Sequence, residues 1–204
     1  MNFYEFVAEY LTELSAAFFA VFIPAAVFLV IRRDRRKLSI RSPKLGILNL
    51  QGKLAASWIT EDRAAIESFF SSVEESAESV MKCDVLFVYC DFNLDGKIVG
   101  KAQSLSDVIR KSRAHIVVLA SEPSGRGSQV AMAVCRNVRA NVVMTMERKG
   151  AAFPSFYKRL FSAMAGGIGM STAWTSMAPQ ISGSEHEGLP SGFMTCGAGD
   201  LWFR

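Results

Sequence analysis

Residues 14–31 carry no charge, and five basic residues follow them at once: Arg32, Arg33, Arg35, Arg36 and Lys37. Large apolar side chains, among them Leu14, Phe18, Phe22, Phe28 and Ile31, fill the run, and Ser15 is its one polar residue. A helix needs about 20 apolar residues to cross the bilayer hydrocarbon, so this run stands near the lower limit. A buried helix of a water-soluble domain would show a polar stripe over this length, and a proline in mid-run, here Pro24, is better tolerated in a membrane helix. A cleaved signal peptide would open on a basic segment, whereas Glu5, Glu9 and Glu13 precede this run with no Lys or Arg among them. The basic cluster belongs on the cytoplasmic side, or its organellar equivalent. The expectation is a single-pass membrane protein, N-terminus out, with residues 1–37 as anchor and the main domain inside.

That anchor also accounts for the charge. The formal net charge is +4, and the juxtamembrane cluster alone contributes five positive residues. The cluster answers to topology and anionic headgroups, so a membrane is the expected partner and nucleic acid is not. Cysteines stand at 83, 90, 135 and 196, without Cys-x-x-Cys spacing, and the only histidines are His115 and His186. No structural zinc site and no other cofactor is called for. Cys83, Cys90 and Cys135 lie in apolar segments and read as small core residues of a reducing compartment.

After an expected linker at 38–44, four apolar runs read as strands: 45–50, 85–92, 115–120 and 141–146. Continuous runs of that length, rich in Val, Ile and Leu, indicate strands buried on both faces. Helical patterns lie between and after them. In 62–81, Ile66, Phe69, Phe70, Val73, Ala77, Val80 and Met81 recur at spacings of three and four. Glu61 and Asp62 suit the positive start of that helix. Further helices are expected at 105–113, where Ser104 and Asp107 resemble a capping box, at 128–139 and at 155–165. Alternating strands and helices over 45–165 predict an α/β domain with a largely parallel sheet. From Gly166 the pattern fails, and residues 166–204 read as an irregular tail with isolated aromatics, Trp174, Phe193, Trp202 and Phe203.

Two glycine-containing turns follow strands. One is Asp91-Phe92-Asn93-Leu94-Asp95-Gly96-Lys97, and the other is residues 121–128, Ser-Glu-Pro-Ser-Gly-Arg-Gly-Ser. In parallel sheets, ligands and catalytic groups collect beyond the carboxyl ends of the strands. A Gly- and Ser-rich turn at a helix start offers free N–H groups to an anion or an oxyanion. Neither turn has the Gly-Lys-Ser/Thr ending of a phosphate-binding loop. Asp91 and Asp95, two carboxylates on one turn, read as solvated loop residues.

The order and spacing of these segments resemble the signal peptide peptidase A and SohB group of membrane-anchored serine peptidases. The resemblance covers the anchor and residues 44 to about 146, on the quoted turns and on Lys-Leu-Gly-Ile-Leu-Asn-Leu-Gln-Gly-Lys-Leu at 44–54 and Val-Arg-Ala-Asn at 138–141. It implies the ClpP/crotonase fold, assembly into oligomers, and a serine nucleophile activated by a lysine. Ser124 and Ser128 are the candidate nucleophiles, and Gly96, Gly125 and Gly127 the candidate oxyanion donors. An ungapped match on Ala140-Asn141 places Arg126 at the nucleophile position. Without a catalytic role, Ser128 is a helix cap and Ser124 a turn residue. Asp95 and Lys97 replace a Pro and a Gly beside the implied oxyanion donor, and no lysine follows Lys158, where the resemblance places the base. Two functions are therefore expected in order: a degenerate relative acting as a scaffold or subunit of a membrane complex, and an active serine endopeptidase cleaving peptides near the membrane.

Overall fold

The computed structural model describes residues 38–93, 95–121, 140, 142–148, 150–182, 192–196 and 200–204. The apolar run at 14–31, its basic flank and the helix expected at 128–139 lie outside the described residues. Among the described residues no helix is long and apolar enough to cross a membrane.

The chain forms an α/β domain with eight strands and four α-helices in its described part. The strands are β1 (Leu38–Ile40), β2 (Lys44–Asn49), β3 (Ser72–Ser76), β4 (Val85–Tyr89), β5 (Ile116–Ser121), β6 (Val142–Glu147), β7 (Gly192–Cys196) and β8 (Leu201–Phe203). The helices are α1 (Ala56–Ile66), α2 (Leu105–Ser112), α3 (Ala152–Ala165) and α4 (Met170–Ser182). Six strands make one sheet in the order β3-β2-β4-β5-β6-β7, while β1 and β8 pair in a separate parallel ribbon. All pairings from β3 to β6 are parallel, and β7 closes the far edge antiparallel to β6. The strand order turns back on itself between β2 and β4, which is where doubly wound sheets open a crevice at their carboxyl ends.

The four apolar runs are β2, β4, β5 and β6, and burial explains their composition. Every residue of β4 is buried, so both of its faces must be apolar. Leu45, Ile47, Phe87, Val118 and Met144 belong to one core; Leu48, Leu86, Val88, Val117 and Leu119 belong to the other. Helix α3 covers the first core with Phe153, Phe156, Tyr157, Leu160, Phe161 and Met164, a stripe at helical spacing. Its Tyr157 ring meets Phe87 edge to face at 5.0 Å. The helix begins earlier than position 155 because Pro154 lies in its first turn, where a missing N–H costs no hydrogen bond. Helix α2 covers the second core with Leu105, Val108 and Ile109. Its start is the capping box read in the sequence: Ser104 Oγ accepts from the Asp107 N–H at 3.2 Å and donates to Asp107 Oδ2 at 2.7 Å.

Three expectations are corrected. The pattern at 62–81 is no single helix. Helix α1 runs Ala56–Ile66, a 3-10 turn spans Glu67–Phe69, Phe70 is extended, and Ser72–Ser76 is strand β3. Ser71 fixes the break, its N–H donating to Pro43 O at 2.8 Å and its hydroxyl to Ser42 O at 2.7 Å. The apolar spacing is real, but Val73 serves it from a strand that pairs with β2. The linker expected at 38–44 holds β1, with Ile40 buried. The irregular tail expected at 166–204 holds α4, β7 and β8. Asp200 Oδ1 accepts from the Ser171 N–H at 3.0 Å in the first turn of α4, Trp174 packs edge to face on Phe156 at 5.1 Å, and Phe203 stacks on Phe161 at 5.6 Å. These aromatics are core side chains of their own domain.

Residues 77–84 carry the chain from β3 over β2 to β4, far less than the dozen or more residues usual for such a connection. The crossing sets the side chains of Met81 and Cys83 against β2 at Gly46. A Cβ there would stand 2.7 Å from Cys83 Sγ and 2.7 Å from Met81 Sδ, closer than real Cβ contacts come. Gly46→Ala is therefore expected to cost about 1–3 kcal/mol as overpacking, despite the entropy alanine removes from the unfolded chain. Denaturant midpoints of the two proteins measure the cost, and an unchanged or raised midpoint would contradict this account of the crossing.

Candidate functional site

The carboxyl end of the sheet is defined by register. Asn49, Tyr89, Ala120 and Met146 stand side by side across β2, β4, β5 and β6, and Ser121 pairs with Glu147 one step beyond. Of the loops leaving this end, those after β4 and β5 are the two the sequence marks for chemistry. The loops after β2 and β4 are joined at the switch point, where Leu50 N–H donates to Tyr89 O at 2.8 Å and Gln51 Nε2 donates to Asp91 Oδ1 at 2.9 Å.

The turn after β4 organises itself around Asn93. Its Oδ1 accepts from the N–H groups of Asp95 at 3.2 Å and Lys97 at 2.9 Å, and its carbonyl accepts from the Gly96 N–H at 3.0 Å. Gly96 has φ +73°, a conformation in which glycine is favoured. Its carbonyl then accepts from the Leu105 N–H at 2.8 Å, which joins the turn to α2. The donor that the resemblance assigns to an oxyanion is thus spent inside the turn, along with its two neighbours. An oxyanion hole needs N–H groups aimed outward at the developing charge. Ser124, Gly125, Gly127 and Ser128 lie outside the described residues, as do the residues from Leu14 to Lys37 that are expected to meet a membrane. The nearest described lysine after β5 is Lys158, on the exposed side of α3.

Sequence reasoning missed a second constellation, on the α3 side of the same sheet end. Arg148, directly after β6, is 8% exposed, and Asp62 of α1 is 2% exposed. The Arg148 Nε donates to Asp62 Oδ2 at 2.9 Å, and its Nη2 lies 2.9 Å from Asp62 Oδ1 and 2.6 Å from Glu61 Oε2. Nη1 donates to the Gly150 carbonyl. The guanidinium carbon sits 5.9 Å from the Trp58 ring centroid and 5.5 Å from that of Phe153, so aromatic faces complete its shell. Tyr89 joins from β4, its hydroxyl donating to Asp62 Oδ2 at 2.7 Å. Burial pushes the Asp62 carboxyl up to about 6, against the pull of Tyr89 and Arg148. Burial first, then the Asp62 charge, holds the Tyr89 hydroxyl well above its usual value. A general base must reach a substrate proton. Asp62 is closed to solvent and faces Tyr89 and Arg148, so the cluster ties α1 to the end of β6 rather than presenting a base.

Two cysteines near the sheet are withdrawn from solvent. Cys83 and Cys90 are buried, and burial pushes each up to about 12. Among the described residues no group of three or more His, Cys, Asp or Glu is placed to hold a metal ion. No known family model matches the chain, and no curated protein matches it.

The Arg148 cluster predicts a large asymmetry among charge deletions. Arg148→Met removes the partner of a fully buried carboxylate and is expected to cost about 3–5 kcal/mol. Arg63→Met breaks the exposed pair of Arg63 with Glu67 at 3.2 Å and is expected to cost under about 0.5 kcal/mol. Urea unfolding of both variants checks the ranking; equal losses would mean that the buried pair is not what joins α1 to β6.

Proposed function

We propose that this chain is a membrane-anchored, signal-peptide-peptidase-like protein that has lost hydrolysis and serves as a scaffold or subunit of a membrane complex. In this reading the α/β domain is of the ClpP/crotonase type, residues 14–31 span the membrane, and the domain lies on the side of the basic cluster. The observation that carries the loss of hydrolysis is the turn at 93–97. Its backbone donors are turned inward onto Asn93, and Asp95 beside them would oppose a developing negative charge. Arg126 in the nucleophile turn and the lack of any lysine after Lys158 support the same reading. The parallel succession β2, β4, β5, β6, with a turn and helix after β4, fits the fold that the resemblance implies. A scaffold needs the anchor and a folded domain that presents surfaces, and it places no demand on an activated serine. Its partners are copies of itself or other membrane subunits.

The competing reading, an active serine endopeptidase, rests on Ser124 or Ser128 and on a base supplied from elsewhere. A fluorophosphonate probe separates the two. Incubated with the detergent-solubilised full chain, the probe is expected to label neither the wild type nor the Ser124→Ala and Ser128→Ala variants, while a protein co-purifies in fixed stoichiometry. Labelling that one of the two substitutions abolishes would overturn the scaffold reading and install the endopeptidase.

A further inference from the structure

Two carboxylates and one guanidinium meet where α1 docks on the end of β6. Glu61 keeps its side chain half in solvent (49% exposed), while the side chains of Arg148 and Asp62 are almost wholly withdrawn from it (side chain alone, 3% and 2%). The cluster therefore carries one negative charge more than positive, and Asp62 is the carboxylate denied water. Arg148 divides its donors among Asp62, Glu61 and the Gly150 carbonyl. A buried pair holds best when its charges match and its polar atoms are satisfied. Adding one proton to Asp62 would balance the cluster, leaving Arg148 with Glu61 as its ionic partner and a neutral carboxyl still hydrogen-bonded to Tyr89.

We propose that this cluster is a proton-controlled clamp between α1 and the end of β6, holding more tightly when the buried carboxyl of Asp62 is protonated. The groups that face Asp62 are Glu61 on its own helix, Tyr89 on β4, Arg148 after β6, and Tyr157 on α3. Tyr89 and Tyr157 are both held well above the ordinary tyrosine value, chiefly by burial, so neither changes charge under mild conditions. Arginine stays charged throughout. Asp62 is raised from its ordinary 3.8 to about 6, with Glu61 adding to the effect of burial. The folded chain thus binds this proton more tightly than the unfolded chain does. By linkage, the stabilisation is full below the ordinary value and is lost as pH rises through about 6. The clamp spans the sheet end where the loops of the candidate site originate, so α1 is the element whose hold there follows pH. The device is independent of whether any serine is active.

Thermal unfolding of the full chain in detergent, followed by circular dichroism from pH 7 to pH 5, tests the proposal. The wild-type midpoint is expected to rise on acidification relative to Asp62→Asn, which cannot titrate. Parallel profiles for the two proteins would overturn it. Should Asp62→Asn fail to fold, carboxyl-13C aspartate labelling of the wild type reads the same proton directly. One resonance is then expected to titrate near pH 6, and Glu61→Gln is expected to move it lower. If no aspartate resonance titrates above pH 5, the clamp is overturned.

Discussion

Burying both faces of β2, β4, β5 and β6 is the requirement from which most of this structure follows. A parallel sheet offers no wet face, so each side demands its own cover. On one side the cover is α3, whose aromatic stripe meets Phe87, with Phe203 stacked behind it. On the other side α2 covers part of the sheet, and the chain crossing from β3 to β4 is itself a lid over β2. Gly46 leaves room for that crossing, because a side chain there would collide with Met81 and Cys83. Packing on one face is thus achieved with the aromatic side chains of a helix and on the other partly with two sulfur side chains seated on a glycine.

Among the described residues, Asp62 and Arg148 are the buried charges that interrupt this apolar arrangement. Arg148 emerges where β6 ends, at a point already enclosed by Trp58 and Phe153, so its charge cannot reach water. Helix α1 supplies the answer by turning Asp62 inward from a helix that is otherwise largely exposed. The same helix lacks a side-chain cap at its start. Its position owes much to the buried ion pair and to the Tyr89 hydroxyl. The turn after β4 manages its polar groups in the opposite way, closing the N–H groups of Asp95, Gly96 and Lys97 on one asparagine at the protein surface.

How far the sequence disclosed this depends on how local each signal is. The central strands were legible because burial on both faces leaves an unbroken apolar run. Helix α2 was legible because Ser104 and Asp107 meet within one turn. The stretch 62–81 misled because apolar residues spaced by three and four also serve a helix that stops and a half-buried edge strand that follows, and only pairing with β2 decides. The segments after Gly166 were illegible for a related reason. β8 is three residues long and carries no pattern of its own, yet Leu201 and Phe203 are buried. At the candidate site, the turn around Gly96 could be read from composition, but the direction of its N–H groups could not. Arg148 and Asp62 lie 86 positions apart, and nothing in either neighbourhood announces the other.

The ribbon of β1 and β8 has a consequence for how this protein comes into being. Leu38 pairs with Leu201, so the first strand after the basic cluster waits for a partner made 163 residues later. At ordinary translation rates that wait is roughly ten to thirty seconds. Contacts so distant in sequence also close slowly once both ends exist. During that interval the apolar side chain of Ile40, which ends buried, stands without its partner strand. Biogenesis, rather than the finished architecture, is then the stage at which this domain is most exposed to mispairing and to capture by chaperones.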